Sequence, residues 1–311
     1  MKKVIITEFM DQAAVDSLSP DFDVLYDPDL ADKPDVLLKE IANADAIIVR
    51  NRTQVRGDLL ATAVNLAAVG RLGVGMDNID QDACRERNIA VFPATGANDV
   101  AVAEYVVTSA LMLFRKAYLS ADKMTKGLWP RTELMGNEVG GKTLGLIGFG
   151  AIARETCTMA KALGMKVVAY DPFVPADATV WKQEQVRKLE LKDLLSEADV
   201  ISLHVPLTAD TRHLINSDSI AGMKDGAIVI NAARGGVVDE SALIEGMKSG
   251  KIGGAAIDVY ESEPLDEAGG KRFEGLSNLI LTPHIGGVTV ESNIRVSAVT
   301  AENVRNALEA G

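Results

Sequence analysis

Thr143-Leu144-Gly145-Leu146-Ile147-Gly148-Phe149-Gly150-Ala151-Ile152-Ala153 is an apolar run closed by G-x-G-x-x-A and followed by the helix-like stretch Arg154 to Leu163. In a strand-turn-helix unit of this kind Gly148 permits a tight turn, and Gly150 lets a pyrophosphate approach the backbone. The small Ala153 lets helix and strand pack closely. The amides that open the helix, from Ala151 and Ile152 onward, then bind phosphate. A second apolar run, Val167 to Tyr170, ends in Asp171, 23 residues past Gly148, about where an acid accepting from a ribose is expected. A lone G-x-G-x-x-A is more often a simple glycine turn. The strand, helix and acid together point to a dinucleotide.

Working outward, apolar runs at Val4 to Ile6, Val24 to Tyr26, Ala46 to Val49, Ala67 to Val69 and Ile89 to Phe92 alternate with helix-like segments. The alternation restarts with Leu144 to Ile147, Val167 to Tyr170, Val200 to Leu203, Ile228 to Ile230, Ala255 to Val259 and Leu279 to Leu281. Short strands separated by helices imply a parallel sheet covered on both faces. Two successive sets imply an α/β protein with two doubly wound domains. Between the sets, Asp99 to Tyr118 has hardly any polar face, so it is expected to be a helix buried all round, in the core or against a second subunit. The tail, Val288 to Leu308, reads as a long helix that could return to the first domain.

A chain of 311 residues is long enough for two domains, each with its own core. Hydrophobic residues make up 47% and charged ones 24%, the balance of a soluble globular protein. The N-terminal apolar run is too short for a signal peptide and nothing approaches a membrane span, so a cytoplasmic protein is expected. Cys84 and Cys157 have no metal-ligand spacing and read as reduced packing residues, and no metal is expected. The formal net charge of −12 argues against nucleic acid, whose binding rests on cationic neutralisation of phosphates. Any anionic ligand must then meet a local cluster of Arg.

Only three histidines are present, His204, His213 and His284, and His is the side chain best suited to proton transfer near neutral pH. His213, in a polar loop, reads as a surface residue. His204 ends a strand before Val205-Pro206 and is either structural or part of a cofactor cleft. His284 stands between Pro283 and Ile285-Gly286-Gly287, at a strand end with small neighbours that leave room for a ligand. Arg234, before Gly235-Gly236, also stands at a strand end, and its guanidinium can hold a carboxylate by two parallel hydrogen bonds. Glu263 alone would be a solvated loop acid. Paired with a His, a carboxylate orients the ring and favours its protonated form.

Asn231-Ala232-Ala233-Arg234-Gly235-Gly236, Asp258-Val259-Tyr260-Glu261-Ser262-Glu263-Pro264 and Pro283-His284-Ile285-Gly286-Gly287 resemble the Arg, Glu and His segments of the D-isomer-specific 2-hydroxyacid dehydrogenases. The resemblance covers nearly the whole chain. It implies a flavodoxin-like substrate domain formed by residues 1–95 plus 289–311 and a Rossmann NAD domain formed by residues 96–288. Arg234 would anchor the substrate, His284 would be the general acid/base and Glu263 its partner. Asp258 would hold the nicotinamide carboxamide, and His204, Val205 and Pro206 would line the cofactor cleft. Reduction of a 2-keto carbon leaves negative charge on its oxygen, which needs a nearby proton and cation. Asp171 repels a 2′-phosphate, so NAD is favoured over NADP.

The loop Gly70-Arg71-Leu72-Gly73-Val74-Gly75-Met76-Asp77-Asn78-Ile79-Asp80 resembles the family's carboxylate loop, whose amides would be those of Val74 and Gly75. Arg50, Arg71 and Arg131 resemble the cations of the phosphoglycerate dehydrogenase branch. There they surround the substrate's far anionic group, Arg131 reaching across from the partner of a homodimer. The expectation is of a chain without that branch's C-terminal regulatory extension after Leu308. The extra cation Arg52 sets it apart further. With Leu134–Glu138, Asp171–Asp177 and His284–Asn293, it gives a closer resemblance to the sulfolactate-using branch. Sulfolactate and sulfopyruvate are therefore the first expectation. 3-Phosphoglycerate is the second, and hydroxypyruvate or glyoxylate remains open. An NAD-sensing corepressor-like protein is a further alternative, against which stands the complete Arg, Glu and His set.

Overall fold

The computed structural model describes residues 1–310. It separates them into one unit formed by Met1–Asn98 with the segment from Val288 onward and a second formed by Asp99–Gly287. Five strands, β1 (Lys3–Ile6), β2 (Asp23–Tyr26), β3 (Ala46–Val49), β4 (Ala68–Arg71) and β5 (Ala90–Pro93), make the sheet of the first unit. All pair in parallel, in the order β2-β1-β3-β4-β5, which is the flavodoxin-like arrangement. Strand periodicity sorts the side chains onto two faces. Val4, Ile6, Ala46 and Ile48 enter one core, while Ile5, Ile47 and Val49 enter the other. The tail helix, Val290–Ala310, covers the first core with Val296, Ala301, Val304 and Leu308. It approaches β4 so closely that a Cβ on Gly70 would lie 2.7 Å from methyl carbons of Thr300 and Val304.

In the second unit the strands are β6 (Thr143–Ile147), β7 (Lys166–Tyr170), β8 (Arg187–Lys188), β9 (Val200–Leu203), β10 (Ala227–Asn231), β11 (Ile252–Ile257) and β12 (Leu279–Leu281). Their order, β12-β11-β10-β9-β6-β7-β8, is parallel throughout and reverses direction between β6 and β9. Such a switch point opens a crevice at the carboxyl ends of the strands, where ligands bind in open α/β sheets. β8 was not anticipated, because two polar edge residues carry no apolar run.

Within the single chain the helix Asp99–Arg115 is buried along one side, so the core alone does not cover it all round. Ala103, Val106, Ala110, Leu113 and Phe114 are buried, whereas Val100, Glu104, Thr108 and Arg115 are exposed and Val107, Leu111 and Met112 are half-buried. It also ends before Tyr118, since Lys116 adopts a left-handed conformation (φ +53°) and a 3₁₀ turn follows over Ala117–Leu119. Among the described residues no helix is long and apolar enough to cross a membrane.

Candidate active site

The glycine turn after β6 has the features a pyrophosphate requires. Gly148 has φ +90°, and a Cβ there would stand 2.5 Å from the carbonyl oxygen of His204 and 3.0 Å from Val205 Cγ1. Gly150 precedes the helix Ala151–Ala162, no side chain caps that helix, and the space a Gly150 Cβ would enter is open. The first amides of the helix, including Ala151 and Ile152, therefore face a cradle without a protein acceptor. Asp171 directly follows β7. Its carboxylate accepts from the Phe149 and Phe173 N–H groups, both at 2.9 Å. A carboxylate has about four acceptor sites, so it retains capacity for two ribose hydroxyls. The residues present fit a dinucleotide.

His204 Nε2 lies 2.9 Å from Ser202 Oγ, and burial pushes its pKa down to about 4. A ring that stays neutral is a poor proton donor. Its backbone shapes the glycine turn, and the following Pro206 carbonyl accepts from the Thr211 hydroxyl.

At the ends of β10, β11 and β12 the structure brings Arg234, Glu263 and His284 into one network. Asn231, 1% exposed, brackets the Arg loop: its Nδ2 donates to the Arg234 carbonyl at 2.9 Å and its Oδ1 accepts from the Ala233 N–H at 3.1 Å. His284 is left-handed (φ +57°), a conformation uncommon outside glycine. Its N–H donates to the Asp258 carbonyl at 2.8 Å. The ring Nδ1 lies 2.8 Å from Glu263 Oε2, so Nδ1–H donates to the carboxylate and Nε2 is the ring nitrogen left for a ligand. Burial works to raise the Glu263 pKa. The bonds from His284 and the Tyr260 N–H, with the charge of Arg234, outweigh it and hold the carboxyl below its ordinary range.

Asp258, expected at the carboxamide, is 1% exposed and engaged by the His loop. Oδ1 accepts from the Ile285 N–H at 2.8 Å and from the Thr282 hydroxyl at 2.6 Å, and Oδ2 accepts from the Gly286 N–H at 2.7 Å. Because Thr282 donates to Asp258, the Tyr105 hydroxyl 2.6 Å away donates to Thr282. About one acceptor site is left for a carboxamide. His213 is half-exposed in its loop. Its Nε2 stands 3.3 Å from Glu261 Oε1. Glu261 and the buried Glu240 each accept the other's N–H, at 3.2 and 2.8 Å. Arg272 pairs with Glu240 at 2.7 Å.

In the first unit the Arg71 guanidinium folds over the loop that follows β4 and donates to the Leu72 carbonyl at 2.7 Å. Gly73 has φ +144°, a conformation that other residues rarely adopt, and a Cβ there would meet only the movable end of the Arg71 side chain. Among the described residues nothing accepts from the Val74 or Gly75 N–H groups. Arg50 donates to Asn293 Oδ1 at 2.9 Å, and its Nε is buried without a hydrogen bond. Burial lowers its pKa despite the charge of Glu8, the signature of an undercompensated cation. Arg52 is committed elsewhere, to Asp32 at 2.6 Å and the Pro28 carbonyl at 3.0 Å. In the second unit Arg131 is exposed.

Glu8, Tyr105 and Thr282 escaped the sequence reading. For Glu8 a signal was available, an acid two residues after the end of a buried strand. Its carboxylate is 2% exposed and accepts from four consecutive amides, Arg50 at 2.9 Å, Asn51 at 3.3 Å, Arg52 at 3.0 Å and Thr53 at 3.0 Å. Burial opposes its charge, and these amides outweigh the burial and lower its pKa.

Residues 107–286 match the NAD-binding domain of the D-isomer-specific 2-hydroxyacid dehydrogenases. Over 308 residues, 99% of each chain, the protein is 54% identical to the (S)-sulfolactate dehydrogenase of Chromohalobacter salexigens. It is 42% identical to the hydroxypyruvate reductase of Thermotoga maritima, over 87% of each chain. The crystal structure of Aquifex aeolicus D-lactate dehydrogenase complexed with NAD and lactic acid superimposes with a TM-score of 0.87 at 30% identity. That match covers 99% of this chain and 96% of the other.

Proposed function

This chain belongs to the D-isomer-specific 2-hydroxyacid dehydrogenases and is an NAD-dependent oxidoreductase, and from that premise we propose that it interconverts sulfolactate and sulfopyruvate. The observation that carries the choice of substrate is the 54% identity to a sulfolactate dehydrogenase across 99% of both chains. The stereochemical label agrees with the family. CH₂–SO₃⁻ outranks carboxylate in the priority rules, so sulfolactate with the D arrangement is named (S).

When bound, NAD supplies the two-electron chemistry at the substrate's C2. His284 Nε2 gives a proton to the carbonyl oxygen in reduction and takes it back in oxidation, while Glu263 keeps Nδ1–H engaged so that the ring presents the other nitrogen. Arg234 binds the carboxylate and stabilises negative charge developing beside it. The N–H groups of Val74 and Gly75 donate to the same substrate carboxylate. Arg50 and Arg71, with the partner subunit's Arg131, serve the sulfonate, and Arg52 joins them only by releasing Asp32. Gly148, Gly150, Ala151, Ile152 and Asp171 hold the dinucleotide, with His204, Val205, Pro206 and Asp258 lining its place. The half-open apolar stripe of the helix Asp99–Arg115 supports a homodimer, since Val100, Val107, Leu111 and Met112 would lose water against a second copy. Two buried, unpaired cysteines fit the reducing cytoplasm.

The test is a panel of sulfopyruvate, phosphohydroxypyruvate, hydroxypyruvate and glyoxylate compared by kcat/KM with NADH. Sulfopyruvate is expected to lead. A lead for phosphohydroxypyruvate would move the enzyme to phosphoglycerate chemistry, and a lead for hydroxypyruvate or glyoxylate would remove the distal anion from the reading.

A further inference from the structure

The loop Arg50–Thr53 is clamped from both sides. Its four successive N–H groups converge on the Glu8 carboxylate, one for each of the acceptor sites a carboxylate offers. On the other side Asn78 Nδ2 donates to the Thr53 carbonyl at 2.7 Å and, at 3.3 Å, to the Arg50 carbonyl. Thr7 and Thr53 join their hydroxyls at 2.7 Å, which ties the residue before Glu8 to the end of the same loop. The Arg50 side chain is held by Asn293 and lies 5.8 Å over the ring of Phe9, the residue after Glu8. The backbone that starts Arg50 and the ring that supports it thus both depend on the placement of residues 7–9.

A neutral side chain cannot replace this carboxylate. Gln offers one carbonyl oxygen and one NH₂, so two of the four amides would face a donor instead of an acceptor. The loop would have to turn, carrying Arg50 with it.

We infer that Glu8 is a positioning residue for anion recognition. It touches no substrate, and it fixes the loop Arg50–Thr53 so that the Arg50 guanidinium meets the distal anion of a doubly charged 2-keto acid. The inference rests on the reading of Arg50 as a ligand of that anion. It assigns the loop's conformation, and with it the preference for a sulfonate-bearing substrate over one with a bare methyl or hydrogen, to a buried carboxylate on a different strand end.

The experiment compares wild type, Glu8→Gln and Arg50→Ala by steady-state kinetics on sulfopyruvate and glyoxylate at saturating NADH, with thermal unfolding to establish that each variant folds. For Glu8→Gln the KM for sulfopyruvate is expected to rise ten- to a hundred-fold, with kcat changed less than threefold and glyoxylate affected several-fold less. An equal loss on both substrates, or a KM for sulfopyruvate within threefold of wild type, overturns the role of Glu8. If Glu8→Gln does not fold, Glu8→Asp decides. It keeps the charge but sits one methylene farther from the amides, so a selective rise of a few-fold in the sulfopyruvate KM is expected and a non-selective loss overturns the inference. Arg50→Ala separates the two readings. If it leaves the ratio between substrates unchanged, the distal-anion reading of Arg50 fails. If it collapses the ratio while Glu8→Gln does not, only the role of Glu8 falls.

Discussion

Replacing Gly235 by alanine should disable catalysis through geometry alone, without touching a reacting group. An ideal Cβ on Gly235 would lie 1.6 Å from the carbonyl oxygen and 2.2 Å from the carbonyl carbon of Tyr260. Real Cβ atoms essentially never approach closer than 3.0 Å, so the two backbones must part by more than an ångström. Neither side is a flexible side chain that can swing aside. Arg234 is adjacent to one backbone, and Glu263, whose Oε1 accepts the Tyr260 N–H at 2.9 Å, hangs from the other. A misplacement of about 1 Å costs on the order of 10²-fold in rate. The strain in a packed site costs roughly 1–3 kcal/mol in stability. Gly236 is the control. It has φ +77°, but its Cβ would meet nothing closer than Leu207 Cδ1 at 3.5 Å, so Gly236→Ala should lose only about 1 kcal/mol from the left-handed conformation and keep most of its activity. The assay is kcat/KM for keto-acid reduction together with thermal unfolding. Gly235→Ala with kcat/KM within threefold of wild type would refute the reasoning, because the clash would then be absorbed without moving the Arg and Glu loops.

Four further outcomes are expected. His284→Ala should lower kcat by about 10² to 10⁴ while NADH binding, followed by fluorescence, stays nearly intact; turnover within a few-fold of wild type would exclude His284 as the acid. Asp171→Ala should relax the preference for NAD over NADP and weaken NADH binding, since the Phe149 N–H also loses its acceptor; an unchanged cofactor ratio would place the ribose elsewhere. Arg131→Ala, in a protein shown by light scattering to be dimeric, should lower kcat/KM for sulfopyruvate about ten- to a hundred-fold, the loss of roughly 1.5–3 kcal/mol from one charge-assisted bond, with glyoxylate affected much less. The fourth outcome concerns pH. His204, at about 4 instead of 6.5, binds its proton less readily folded than unfolded, so it destabilises the fold as pH falls below 6.5 and reaches its full effect near pH 4, at most about 3 kcal/mol. His204→Gln should flatten that acid limb in urea titrations at pH 7, 5.5 and 4, and an unchanged slope would mean that the ring protonates freely in the folded state.

The strands β1, β3, β6, β9 and β10 are mostly apolar, with Ser202 the polar residue inside β9, because parallel strands are buried on both faces, and this is why two doubly wound sheets could be read from the chain alone. The glycine turn, Asp171, Arg234 and His284 stood out for a related reason: each is a residue type placed at a strand end, whereas Glu263 alone read as a solvated loop acid and took its expected role only from the family resemblance. Pairing is not local. That His284 Nδ1 meets Glu263 Oε2 at 2.8 Å, that Asp258 is occupied by the His loop, and that Arg52 turns to Asp32 were decided by which strand ends became neighbours in the sheet and by how loops settled between them. Glu8 shows the difference most plainly. In sequence it is an acid 42 residues before Arg50, with no spacing rule to link them. Only the pairing of β1 with β3 puts a carboxylate against four amides, and the physical requirement that buried donors find acceptors then holds the loop there.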